Sequence, residues 1–186
     1  MDFCERTKYV LADSVKELMQ TMPLDKITVK EIVANCGTTR QTFYRNFKDK
    51  YDLVIWYFDK IIQKTIRKMG VSLTMEEALV TKFRLMIQDR DFITSAFSSS
   101  DYNNLLDYDQ KCIFEFYKDI VSRKTELTEE LIFLLDFYCK GSMGLTAEWA
   151  KDGMKMAPEE MAALLIEAIP QKLEQYMSDL SEYHQA

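Results

Sequence analysis

An all-α fold is predicted by three features of the 186-residue chain. It holds only 5 Gly and 3 Pro, so turns are few and elements long. Long runs are built from Leu, Met, Lys, Glu and Ala, residues that favour helix. Apolar side chains recur at intervals of three and four, the spacing that lines one face of a helix. The length allows one mid-sized domain, or a small one joined to a larger one.

Local chemistry sets the bounds of the elements. A first helix over about residues 3–20 carries Leu11, Val15, Leu18 and Met22 at helical spacing, and Pro23 closes it. Thr28 and Glu31 form a Thr-x-x-Glu capping box, which starts a second helix at Val29. Ile32 and Val33 supply its buried side, and Cys36-Gly37 ends it, because glycine accepts the left-handed conformation found at helix C-termini. Thr39 caps a third helix, about residues 40–46. Its Phe43 and the following Phe47 share one face; Arg40, Gln41, Tyr44 and Arg45 occupy the other.

Asp49 caps a fourth helix, predicted to run unbroken to Met69 and to end at Gly70. Its apolar surface (Leu53, Val54, Tyr57, Phe58, Ile61, Thr65, Met69) is wide enough to pack on its N-terminal and its C-terminal neighbours at once. Further helices are expected at about 74–89, 91–97, 103–123, 128–151 and 158–179, with Ser98-Ser99-Ser100-Asp101 as a loop or cap. Pro158 with Glu159-Glu160 opens the last of these, and Pro170 should kink or break it.

A short helix that buries two aromatics and presents Arg, Gln and Tyr outward is what the second helix of a DNA-binding helix-turn-helix needs. The net charge of −6 argues against DNA until the chain is divided. Residues 1–50 carry 9 Lys/Arg and 7 Asp/Glu, whereas the remainder carries 15 and 23. A mildly basic head on an acidic body directs DNA to the head, because local potential governs approach.

Catalysis has little to work with. The one histidine, His184, lies near the C-terminus, which disfavours His-based acid–base chemistry and ordinary zinc sites. There is neither a G-x-G-x-x-G nor a Walker sequence. The paired acids Glu76-Glu77, Glu129-Glu130 and Glu159-Glu160 sit near helix starts, where they complement the helix dipole. No enzyme activity and no cofactor are expected. Cys4, Cys36, Cys112 and Cys139 are widely spaced, which reads as reduced thiols in the cytoplasm. The absence of a signal peptide, lipidation box or 18-residue apolar span agrees with a soluble cytoplasmic protein.

The run T-x-K-E-I-V followed by C-G-T-T-R-Q-T-F-Y-R-N-F-K-D-K resembles the N-terminal DNA-binding domain of the TetR family of bacterial transcription regulators. Its specific part is Thr42, Phe43, Tyr44 and Phe47, followed by Lys48 and Lys50. One departure is Thr38, where the family usually has an aliphatic residue. The tail, with Trp149, Gly153 and Pro158-Glu159-Glu160, is similar to a subgroup that includes regulators of dihydroxyacetone kinase.

The resemblance implies a helix-turn-helix domain at 1–50 and a helical regulatory and dimerisation domain at 51–186. It also implies a homodimer on a palindromic double-stranded operator and a small-molecule effector. The expected protein is a repressor released by its ligand. The alternatives are an activator, or an interaction protein whose C-terminal domain answers to a protein partner. By chemistry, Arg40, Gln41 and Arg45 are the expected base contacts, since Arg suits guanine and Gln adenine. Thr28, Lys30, Thr42, Tyr44, Lys48 and Lys50 are the expected phosphate contacts, Tyr44 on the family's pattern and Lys50 at the positive end of the fourth helix. The effector pocket implied by the resemblance is assigned to Trp56, Phe83, Met86, Phe114, Tyr117, Phe137 and Tyr138, although aromatics at helical spacing more often fill a core than line a pocket. A two-fold interface is assigned to Leu131, Leu135, Met161, Leu165 and Ile169, on helices also apolar enough to fill a monomer core.

Overall fold

The computed structural model describes residues 3–100 and 105–181. Among these are ten α-helices: α1 (Phe3–Met19), α2 (Val29–Asn35), α3 (Arg40–Asn46), α4 (Lys50–Lys64), α5 (Met75–Gln88), α6 (Arg90–Phe97), α7 (Leu105–Ser122), α8 (Glu129–Lys151), α9 (Pro158–Glu167) and α10 (Gln171–Met177). Short 3₁₀ turns cover Leu24–Lys26, Ile66–Lys68 and Ser178–Ser181. Asp101 and His184 lie outside the described residues.

The head forms as its caps dictate. Thr28 accepts from the Glu31 amide at 3.3 Å while the Glu31 carboxylate accepts from the Thr28 amide at 2.8 Å, so both halves of the capping box are made. Gly37 takes φ +65° in the turn, where an L side chain would be strained. Leu11, Val15, Ile32, Phe43, Phe47 and Leu53 are buried together, binding α1 to α2, α3 and the start of α4. In the body, α5 packs on α9, and α8 packs on α6 and α7.

Helix α4 belongs to both parts. Leu53 and Val54 are buried near the head, whereas Phe58, Ile61 and Ile62 are buried farther along. Phe58 meets Phe97 of α6 edge-on at 6.1 Å. The expected division between residues 50 and 51 therefore falls at the first turn of a helix that packs on head and body alike, within one continuous hydrophobic cluster.

α4 stops at Lys64, short of the predicted Met69. Thr65 leaves helical geometry (φ −123°, ψ −85°), with its hydroxyl donating to the Ile61 carbonyl at 2.7 Å. The 3₁₀ turn after it places side chains three residues apart on one side, so Ile66 and Met69 both bury. Gly70, at φ +72°, makes the turn itself, and a Cβ there would lie 2.9 Å from Leu180 Cδ2. The predicted last helix is likewise two, α9 and α10, broken at Pro170.

Candidate nucleic-acid interface and regulatory body

α3 is held by its ends and its buried side. The Thr39 hydroxyl accepts from the Thr42 amide at 3.1 Å, and Phe43 is fully buried between Tyr44 and Phe47 rings at 5.4 and 6.0 Å. Arg40, Gln41 and Arg45 consequently stand in solvent, and Tyr44 is 58% exposed. The exposed Lys30 and Lys48 flank them in sequence.

Other expected phosphate contacts are engaged within the head. The Thr28 hydroxyl donates to Glu31 at 2.7 Å, and the Thr42 hydroxyl lies 3.1 Å from that of Thr39. Lys50 departs furthest from expectation. Its ammonium donates to the carbonyls of Leu24, Asp25 and Ile27 at 2.7, 2.9 and 2.8 Å. Those carbonyls belong to the 3₁₀ turn before α2 and its exit, and a lysine has three protons to give. Lys50 thus clips the loop onto α4, and no proton is left pointing outward. Lys50→Met should lower stability by about 1–3 kcal/mol through unpaired carbonyls, measured by urea denaturation. Loss of a phosphate contact in a dimer would instead make the log–log salt slope shallower by roughly 2. Unchanged stability with a shallower slope would restore the phosphate role.

Two polar clusters absent from the expectations tie head to body. The Asp25 carboxylate accepts from the hydroxyls of Ser99 at 2.5 Å and Ser100 at 3.0 Å, and the Leu24 amide donates to Ser95 at 2.9 Å. The Ser99 hydroxyl first, then Ser100, holds the Asp25 carboxyl below its ordinary pKa. In the second cluster, Lys16 of α1 meets Asp89 at 2.5 Å, and the Tyr57 hydroxyl of α4 donates to Asp89 at 2.7 Å. Both clusters converge on α6 and its caps, more than 70 residues from Lys16 or Asp25 in sequence. No local pattern could have paired them.

The residues expected to line an aromatic pocket fall in the core, in the head and on the surface. Phe83, Met86, Tyr117 and Tyr138 are core side chains. Phe83 packs on Trp149 at 5.2 Å, Tyr117 faces Tyr138 at 6.0 Å, and the Tyr138 hydroxyl donates to the Leu165 carbonyl at 2.8 Å. Trp56 belongs to the head, against Tyr9 at 5.0 Å and Phe47 at 5.6 Å. Phe114 is half-buried beneath Lys118 on α7. Phe137 stands 67% exposed. Aromatics at helical spacing on an inward face fill that face rather than leave space. A cavity of about 480 Å³ lies instead between the end of α4, the turn after it, and one stripe of α7; Ile62, Ile66, Arg67, Lys111, Cys112 and Phe116 are among its walls. A second, of about 430 Å³, lies between α8 and α9 around Leu145, Trp149, Leu164 and Leu165.

The residues expected at a two-fold interface lie on the inward face of their helices. Leu131, Leu135, Met161, Leu165 and Ile169 are buried in the chain's own core. The outer face of α8 exposes Phe133 and Phe137, both 67%, and Leu145, 56%, while α9 exposes Leu164, 47%. The Phe133 and Phe137 rings stack at 6.4 Å. On the same helix, a Cβ built on Gly141 or Gly144 would meet nothing within 4 Å.

The body also holds a fully buried ion pair, Lys82 of α5 to Asp109 of α7 at 2.7 Å. Among the described residues no group of His, Cys, Asp and Glu is placed to hold a metal ion, and no helix is long and apolar enough to cross a membrane. The half-buried Cys36 and Cys112 and the buried Cys139 are free, and burial pushes the Cys139 thiol up to about 12.

Comparison with known proteins joins the two halves. The family model described as bacterial regulatory proteins, tetR family, matches residues 13–55, and that described as transcriptional regulator C-terminal region matches residues 74–171. The chain belongs to the TetR family of transcriptional regulators. Between the two matched segments of this TetR chain lies most of α4. A curated relative, the HTH-type dhaKLM operon transcriptional activator DhaS of Lactococcus lactis subsp. lactis (strain IL1403), is 25% identical over 91 residues. That match covers 49% of each chain, so the chain spans about half the length of its curated relative. Two solved structures share the fold. The dihydroxyacetone kinase operon activator DhaS has TM-score 0.65 at 17% identity, covering 95% of this chain and 98% of its own. A TetR transcriptional regulator from Streptococcus agalactiae 2603V has TM-score 0.68 at 20% identity, covering 90% and 96%.

Proposed function

We propose that this TetR protein binds a palindromic double-stranded operator as a homodimer and changes its grip when an effector occupies the body. The observation that carries the reading is α3, where a fully buried Phe43 fixes a helix whose outer side offers Arg40, Gln41, Tyr44 and Arg45. Such a helix enters the major groove with its first residues at base edges. Arg40 and Gln41 open it, and Tyr44, Lys30 and Lys48 have the chemistry for phosphate. A two-fold pair of heads reads two half-sites, so affinity depends on the separation of the two helices.

Regulation runs through the shared helix and the two polar clusters. Any shift of α4 or α6 acts on Lys50, Asp25 and Lys16, which fix the loop before α2 and the end of α1. A ligand must bind one arrangement better than the other, because equal affinity shifts nothing. Operator DNA must then change effector affinity by the same factor.

The sign of regulation has a second reading. Repression released by a ligand is one outcome; the curated relative is named as an activator, which favours the other. Selection of binding sites from random DNA, followed by a reporter carrying the selected site, separates them. A palindrome with reporter output lowered by the protein supports repression, raised output supports activation, and no enriched sequence sinks the operator reading. Arg40→Ala should weaken the selected site by about 1–3 kcal/mol per lost base contact and relax one position of each half-site. An unaltered binding profile would remove Arg40 from base reading.

A further inference from the structure

We infer that the cavity between α4 and α7 binds a medium-chain monocarboxylate, with its chain in the cavity and its carboxylate at the rim. This rests on the reading of the body as the effector-binding part, and gives that part a site and a ligand chemistry.

The cavity combines three properties. Its size, about 480 Å³, is within the range of small-molecule sites, about 300–1,000 Å³. Its floor is apolar, from Ile62 and Ile66 on one side and Phe116 on the other, which suits a hydrocarbon chain. Its charged residues are unequal in what they have left to offer. The acids are already compensated along their own helix: Glu115 by Lys118 at 3.5 Å, and Asp119 by Arg123 at 2.6 Å. The cations Arg67 and Lys111 have no ion-pair partner within 4 Å among the described residues. Two cations without ion-pair partners over an apolar floor match an anionic head on an apolar tail and disfavour a cationic head.

The site's position also fits a regulatory ligand. Ile62 is in the last turn of α4, Ile66 lies in the 3₁₀ turn after it, and Lys50 begins the same helix. A chain seated on Ile62 and Ile66 therefore presses on the far end of the element that Lys50 clips to the head. Cys112 forms part of the wall, and burial pushes its thiol pKa up, so this side chain behaves as an apolar wall and not as a nucleophile.

The test is calorimetric titration of the full chain, without DNA, with decanoate, 1-decanol and decylamine. Decanoate should bind saturably at one site per chain, at least about tenfold tighter than either analogue. Arg67→Gln/Lys111→Gln, both exposed positions, should weaken decanoate about tenfold or more and leave the alcohol unchanged. Cys112→Phe, which fills the wall, should block decanoate. Equal binding of acid and alcohol, preference for the amine, an unaffected double variant, or no saturable binding would each overturn the site. Operator affinity is then measured with and without decanoate. Binding without an effect on operator would keep the site and remove its regulatory role; an operator response to other compounds, with no decanoate binding, would do the reverse.

Discussion

Asp109→Ala should be among the most destabilising single changes in this protein, costing about 3–5 kcal/mol. The Lys82 and Asp109 side chains are 1% and 0% exposed, and their contact at 2.7 Å joins α5 to α7 in the middle of the body. Lys82 also lies over the Phe58 ring of α4 at 5.6 Å and 3.9 Å from the Met143 sulfur of α8. Four helices thus meet around one ammonium. Removing the carboxylate strands that charge in an apolar core, where it cannot be rehydrated. The pair itself is imperfect: Asp109 Oδ1 has no hydrogen-bond partner, so desolvation is only partly offset. Replacing both partners by apolar residues, Lys82→Met with Asp109→Leu, should therefore be near neutral or stabilising. Urea denaturation of both variants decides this. A single variant within about 1 kcal/mol of the parent would mean the buried charge finds another partner.

This pair shows where sequence reading stops. The caps at Thr28, Thr39 and Asp49 and the turn at Gly37 are local chemistry over four residues, and α2 and α3 form at the predicted bounds. The exposed side of α3 comes from the same spacing, because Phe43 decides which way Arg40 and Tyr44 point. Long helices are legible as helices, but not in which apolar stripe faces inward. α8 has more apolar residues than one face can bury, so Leu131 and Leu135 cannot be told from Phe133 and Phe137 without the neighbouring helices. Charged residues on apolar stripes are a usable signal for the buried pair: Lys82 falls between Leu79 and Met86, and Asp109 between Leu105 and Ile113. Lys50 escapes a local reading because the position of its cationic head depends on a loop 23 to 26 residues earlier.

Phe137→Glu combined with Phe133→Glu should convert the protein to a monomer and lower operator affinity by about 10²–10⁴-fold, the loss expected when two linked half-site contacts become one. The motive is the outer face of α8. Phe133 and Phe137 are each 67% exposed and stacked, Leu145 extends the stripe by two turns, and Leu164 of α9 adjoins it. Gly141 and Gly144 leave room on that face for a second helix to approach closely. A self-complementary patch of this kind suits a two-fold four-helix arrangement in which each copy would give α8 and α9. Because both phenylalanines already face solvent within one chain, glutamates there should leave each subunit folded. Leu165→Glu gives the contrast. That side chain is 4% exposed inside the chain's own core, so its substitution should unfold the subunit rather than separate two of them. Sedimentation equilibrium, circular dichroism and operator titration distinguish the outcomes. A folded monomer with weak operator binding is expected for the double glutamate variant. A dimer that persists with both glutamates in place would move the interface off α8.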